Sequence, residues 1–224
     1  MADMSWTGYW TSVTVIDKFI HPCNYTFSID FTGGSDDAVR QHMAFSRIKY
    51  LIDDILNDTI HCSMNNPLLP VLKDTYTRVV TFSTDPIEVV VAITLWHKIL
   101  QITDGEIEIE RIGVSTDQGD NLVCWIDQLF MEETDLSIVE DPYKSFNEKA
   151  WWNRPDAGAT DWMEITDTED PIKKKANVKL DYTDWPEYLQ WDFDKKVLDT
   201  PAPDNVISIK PKKWKPEVIP GDKS

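Results

Sequence analysis

His21 and Cys23 stand two apart in HPCNYTFSIDF. On an extended chain both side chains leave from one face, where an imidazole and a thiolate could share one metal ion. Zinc accepts both donor types but wants three or four ligands, and His42 and His61 are the candidates for a third. The competing reading, a strand-end histidine beside a buried cysteine, stays open. His61 and Cys62 have the residue types of a general base and a nucleophile. Neighbours in sequence seldom face each other, however, and no orienting acid is in view, so a solvated histidine at a helix end is the alternative. His97 lies in an apolar helical stretch and reads as a core or interface residue. The acidic pairs Asp36/Asp37 and Asp53/Asp54, and the series Glu106, Glu108 and Glu110, lack calcium-loop spacing and read as solvated faces. The sequence has no phosphate-binding glycine loop, no dinucleotide fingerprint and no Gly-x-Ser-x-Gly.

The elements that must position these groups follow from periodicity. Ala44 to Met64 has Ile48, Leu51, Ile52 and Ile55 on one helical face and predicts an amphipathic helix delivering His61 into a polar turn. Before it, Ser12 to Ile16 and Tyr25 to Phe31 alternate with period two, as half-buried antiparallel strands do. Asp17 to Asn24 would be their connection or a bulged continuation, and Thr32 to Asp37 a turn. After the helix, NNPLLP stops helical propagation and Arg78 to Phe82 is a short candidate strand. Asp85, Pro86 and Glu88 have the order of a helix cap, first turn and capping box. The body that follows, IEVVVAITLWHKIL, is apolar nearly all round, which predicts a buried helix. Glu106 to Val114, a turn over Ser115 to Asn121, and Leu122 to Ile126 complete the domain as a hairpin.

The totals bound the rest. A chain of 224 residues with 42% hydrophobic content supports a packed core. Its net charge of −17 argues against a nucleic-acid backbone or an anionic membrane surface as a partner. No apolar run is long enough to span a bilayer, and MADMSWTGYW lacks the plan of a signal peptide. The three cysteines are too few to staple a fold, and together these features predict a soluble cytoplasmic protein. Beyond about residue 130 the periodicity fades. Residues 131–224 hold most of the prolines, a KKK run at 173–175, and six of the ten tryptophans: Trp151, Trp152, Trp162, Trp185, Trp191 and Trp214. This predicts an acidic, irregular extension ending in a disordered tail. Tryptophans in polar sequence are costly to leave wet, so these six are expected to anchor the arm on its own domain, on a neighbouring subunit or on another protein.

The order of elements from residue 12 to residue 126, and several short motifs in it, resemble the tunnelling-fold family of 6-pyruvoyl-tetrahydropterin and 6-carboxytetrahydropterin synthases. HPCNYTFSIDFTGG resembles that family's zinc strand, and HMAFSRIK its first helix start. TIHCSMNNP is similar to its Asp-His-x-x-Leu-Asn turn, which puts His61 on the catalytic histidine and Asn65 on the asparagine. VVTFSTDPIE is similar to its Pro-Thr-x-Glu-Asn helix start, with Glu88 on the glutamate. The resemblance implies an α+β fold, a four-stranded antiparallel sheet with two helices on one face, over residues 1–130. It also implies a closed homo-oligomer formed by edge pairing between subunits. The departures are as informative. Of three zinc histidines only His21 is matched; Cys23 takes the next position, and no histidine precedes His21. The catalytic cysteine falls on Asp17, the acid that orients the histidine on Ile60, and the pterin-anchoring glutamate near Ser115. The reading is therefore a non-catalytic structural or interaction protein without a cofactor, docking a protein partner through its arm. The alternative is a zinc-dependent synthase-like enzyme with His21 and Cys23 on the metal and His61 as base.

Overall fold

A computed structural model describes residues 4–34, 36–76, 78–133, 150–165, 176–180 and 184–191, with the side chains of 161–165 and 176–180 excepted. β1 (Met4–Ile16) and β2 (Phe19–Gly34) form one long antiparallel ribbon. Asp17 turns the chain at φ 53°, a left-handed conformation that aspartate tolerates in tight hairpins. The alternation seen in the sequence is realised in full: Cys23, Tyr25, Phe27, Ile29 and Phe31 are buried on one face. Gly8 lies opposite Phe27, and a Cβ there would stand 2.7 Å from the Phe27 ring, so glycine makes room for it.

α1 (Ala38–Tyr50) starts on Asp37, whose carboxylate accepts from the backbone of Val39 at 2.9 Å and Arg40 at 3.3 Å. It runs into a π-helical turn, Leu51–Leu56. The sequence predicts this helix to continue to Met64, but it stops at Asn57 and Asp58. Asp58 takes a left-handed φ of 54°, its N–H donates to Thr11 O at 2.8 Å, and Thr11 Oγ1 donates to its carboxylate at 3.0 Å. Short polar side chains compete with helical hydrogen bonding, and here strand β1 supplies the alternative partners. The chain then enters β3 (Thr59–Ser63), followed by α2 (Leu69–Thr75), β4 (Val79–Phe82) and α3 (Glu88–Thr103). α3 starts at Glu88 with Ile87 rather than Asp85 at the cap. β5 (Ile107–Thr116), β6 (Cys124–Asp127) and α4 (Gln128–Glu133) follow.

The fold is mixed α+β, and its main sheet has six strands in the order β4-β3-β1-β2-β5-β6. This corrects the four-stranded antiparallel sheet expected from the sequence. β1, β3 and β4 run parallel, because β3 and β4 are laid beside β1 after helical crossovers. β2, β5 and β6 are antiparallel neighbours. α1 and α3 cover one face. On the other face, α2 closes a smaller core in which Leu72 packs with Val15, Cys62 and Val79. No helix among the described residues is long and apolar enough to cross a membrane.

The chain divides into two units, Met1–Gln190 and Trp191–Ser224, whereas the sequence draws its boundary near residue 130. The first unit extends so far because two buried cations fasten later segments to its helices. Lys98, on α3 and fully buried, donates from Nζ to the carbonyls of Trp151 (2.8 Å), Arg154 (3.0 Å), Asp156 (2.6 Å) and Gly158 (3.5 Å). Arg47, on α1, donates from Nε to Leu189 O at 2.8 Å and from Nη1 to Ile102 O at 2.9 Å. The Arg47 guanidinium lies 4.7 Å from the Trp185 ring centre, and burial lowers its pKa to about 10, which leaves it charged. A second, two-stranded sheet pairs β7 (Asp161–Ile165) antiparallel with β8 (Ala176–Leu180).

Candidate functional site

The residues singled out by chemistry meet only in part. A cavity of about 270 Å³ opens where the ends of β1 and β2 approach the start of α3 and the end of β5; His21, Cys23, Tyr25, Glu88 and Thr116 line it. The period-two spacing of β2 does put His21 and Cys23 on one side, as the sequence implies. Their environments differ: His21 is exposed and Cys23 is buried. Burial pushes the Cys23 thiol up to about 11, against a smaller lowering by its hydrogen bond with Thr14. It is therefore a protonated thiol at neutral pH rather than a thiolate.

Tyr25 forms the back of the cavity. Its hydroxyl donates to Pro86 O at 2.9 Å and lies 3.1 Å from Thr14 Oγ1, and burial raises its pKa. Pro86, which the sequence places in the first turn of a helix, thus serves as the acceptor that fixes Tyr25. Across the cavity Thr116 Oγ1 donates to Glu88 Oε1 and accepts from Gly119 N at 3.0 Å. A Cβ at Gly119 would crowd the Glu88 carboxylate, which would have to swing aside to admit it. On the rim, Asp117 accepts from Asn24 N at 3.1 Å and Asn24 Nδ2 at 2.7 Å, and these bonds hold its carboxyl below the usual range.

His61 is elsewhere. The sequence offers it as a catalytic base or as a solvated helix-end residue, and it is neither a cavity residue nor solvated. It sits on β3 with no exposed surface, packed against Tyr25, Phe82 and Trp10 at ring-centre distances of 5.4, 5.3 and 6.4 Å. Nε2 is 3.3 Å from Leu56 O, and since a carbonyl can only accept, Nε2 carries the proton. The same carbonyl accepts from Thr59 Oγ1 at 2.6 Å. His61 and Thr59 together close the last turn of the preceding helix. Nδ1 is buried without a hydrogen-bond partner among the described residues. Burial lowers the His61 pKa to about 3, so the ring is neutral.

The donors among the described residues fall short of a zinc site. Among the described residues no three His, Cys, Asp or Glu side chains come together around a possible ion, whereas zinc is held by three or four protein ligands. His42, offered as a third ligand, is exposed on α1. Asn65 donates from Nδ2 to Ser83 O at 3.4 Å, tying the ends of β3 and β4 together. Of the arm tryptophans, Trp151 and Trp152 are fully buried and Trp185 nearly so. Trp151 stacks edge-on to Phe82 and Trp152, and its Nε1 donates to Thr81 O at 2.6 Å. Trp185 donates from Nε1 to Pro155 O at 2.7 Å. Trp191 belongs to the second unit, while Trp214, the KKK run, the tail and the side chain of Trp162 lie outside the described residues. The buried Lys98 and Arg47 were not singled out from the sequence; the available signal was a lone lysine in an otherwise apolar helix.

No family model matches the sequence, and no curated protein matches it. Among solved structures, the chain is similar to an uncharacterized protein, WS1659, from Wolinella succinogenes. That likeness has a TM-score of 0.39 at 9% identity, covering 57% of this chain and 97% of the other. It is also similar to a catalytic-residue mutant of Plasmodium vivax 6-pyruvoyltetrahydropterin synthase, with a TM-score of 0.32 at 10% identity, covering 56% of this chain and 96% of the other.

Proposed function

We propose that this chain is a non-catalytic structural or interaction protein, a homo-oligomer whose subunit resembles a 6-pyruvoyl-tetrahydropterin synthase that has lost its base chemistry. The observation that supports this most is the position of His61. A base must reach the proton it removes and have a pKa near the working pH, and this ring is sealed behind Tyr25, made weakly basic by burial, and engaged through Nε2 with Leu56 O. The terminal strand β6 adds support for association, because Leu122, Val123, Trp125 and Leu129 around it are exposed apolar side chains. Light scattering should give a multiple of the 25.9 kDa chain mass. A monomer at every concentration would remove the oligomer from the proposal. Turnover of pterin substrates in added zinc, abolished by Glu88→Gln, would remove its non-catalytic part.

The cavity itself favours a second reading, a zinc-dependent 6-carboxy/6-pyruvoyl-tetrahydropterin synthase-like enzyme. It gathers an imidazole, a thiol, a phenol and a carboxylate around a volume suited to a small polar ligand. That reading requires a metal ligand from outside the described residues and a base other than His61.

A further inference from the structure

The six-stranded sheet ends at β4 and β6. A terminal strand presents a row of backbone N–H and C=O groups that will template pairing unless something covers them. On β4 the inward direction is fixed by Ile60 N donating to Arg78 O at 3.0 Å and Met64 N donating to Phe82 O at 2.7 Å. Alternation then turns Val79 and Thr81 outward. Both outward carbonyls are engaged: Trp151 Nε1 donates to Thr81 O at 2.6 Å, and Thr160 Oγ1 donates to Val79 O at 2.6 Å. The donors are side chains, so residues 150–160 cover the edge without adding a strand to the sheet. Lys98 holds that segment in place through its bonds to the Trp151, Arg154 and Asp156 carbonyls. Among the described residues, nothing comparable covers β6.

We propose that residues 150–160 are an intramolecular guard, occupying the β4 edge that would otherwise pair with an edge strand of a second copy of this chain. A second copy is the partner that fits, because every copy carries the complementary template: the β6 edge with Leu122 at 74% and Trp125 at 42% exposure beside it. With β4 uncovered, each sheet has two edges that no described residue covers, and head-to-tail pairing of unlike edges produces rings or open filaments. With β4 covered, that route is closed and association is confined to other surfaces. The inference stands apart from the function proposed above, since it concerns the change on uncovering β4, whether the intact protein is a monomer or an oligomer.

The test removes both donors while keeping most of the volume, in full-length Trp151→Phe/Thr160→Val. Its mass is followed by light scattering over a concentration series beside the intact protein. The guard predicts a species several-fold heavier than the intact protein, growing with concentration, with Val79–Phe82 amides still slow to exchange because they pair with another copy. An unchanged mass with a native circular dichroism spectrum overturns it. If the double variant does not fold, the near-isosteric Thr160→Val alone carries the test by the same readout, and an unchanged mass there also overturns the guard.

Discussion

Replacing Lys98 with methionine separates the helix core from the segment fastened to it. The methionine stem fills nearly the same space, so the change is the loss of the ammonium group from among carbonyls at 2.8, 3.0, 2.6 and 3.5 Å. Leaving one buried acceptor without a donor costs roughly 1–3 kcal/mol. Three close acceptors would bring the total to roughly 3–9 kcal/mol on that scale. Two effects reduce it: the variant no longer has to desolvate a charge, a penalty of several kcal/mol, and the carbonyls can turn to water if their segment lifts away. A net loss of about 3 kcal/mol follows, small enough beside a typical stability of about 5–15 kcal/mol for the domain to stay folded. With a urea slope of about 2 kcal/mol/M, the unfolding midpoint should fall by about 1.5 M. Since the carbonyls lie on one short segment, much of the loss should appear as local opening. Amide exchange over residues 150–158 should speed up on the order of a hundredfold, at about 1.4 kcal/mol per factor of ten. Lys98→Arg should recover little, because a planar fork does not replace a compact head with three donors. An unchanged midpoint together with unchanged exchange at 150–158 would refute the assignment of Lys98 as the fastener.

Two further perturbations test the buried groups. His61 has a folded pKa near 3, below its ordinary value of 6.5, so the unfolded chain takes up its proton first as pH falls. The stability it confers is therefore present above about pH 6.5 and is lost progressively toward pH 3, by at most roughly 5 kcal/mol. His61→Phe should flatten that part of the denaturation-midpoint profile, and parallel profiles for the two proteins would contradict the assignment. Arg47→Lys removes the Nε bond to Leu189 O and the flat stacking on Trp185, at a cost of roughly 1.5–3 kcal/mol for a charged hydrogen bond. Exchange should quicken at 187–190 and not at 150–158; faster exchange in both segments would show that they are released together.

The legible parts of the fold are those where one residue pattern had one physical meaning. Tyr25 to Phe31 alternates cleanly and is a strand; the long apolar body after Glu88 is a buried helix. The stretch around His61 misled because apolar spacing continues from Ile48 through Ile55 toward Ile60, while the chain breaks at Asn57 and Asp58 on contacts from Thr11, which is distant in sequence. That one break turns a helix end into strand β3, moves His61 from water to the core, and sends the next strand parallel to β1. The candidate site was legible as far as the period of β2 could carry it, which places His21 and Cys23 on one face. What surrounds them was not legible, because Pro86 O and Thr116 reach the site through tertiary packing. Nor does a lysine in a helix announce that four carbonyls from a later segment will enclose it.

Metal stoichiometry distinguishes the proposed structural or interaction protein from a metal-dependent catalyst. The purified, tag-free protein is incubated with zinc, desalted and measured by elemental mass spectrometry beside His21→Ala. A structural or interaction protein should hold well under one zinc per chain, with no difference between the two proteins. Close to one zinc per chain, lost in His21→Ala, would contradict it.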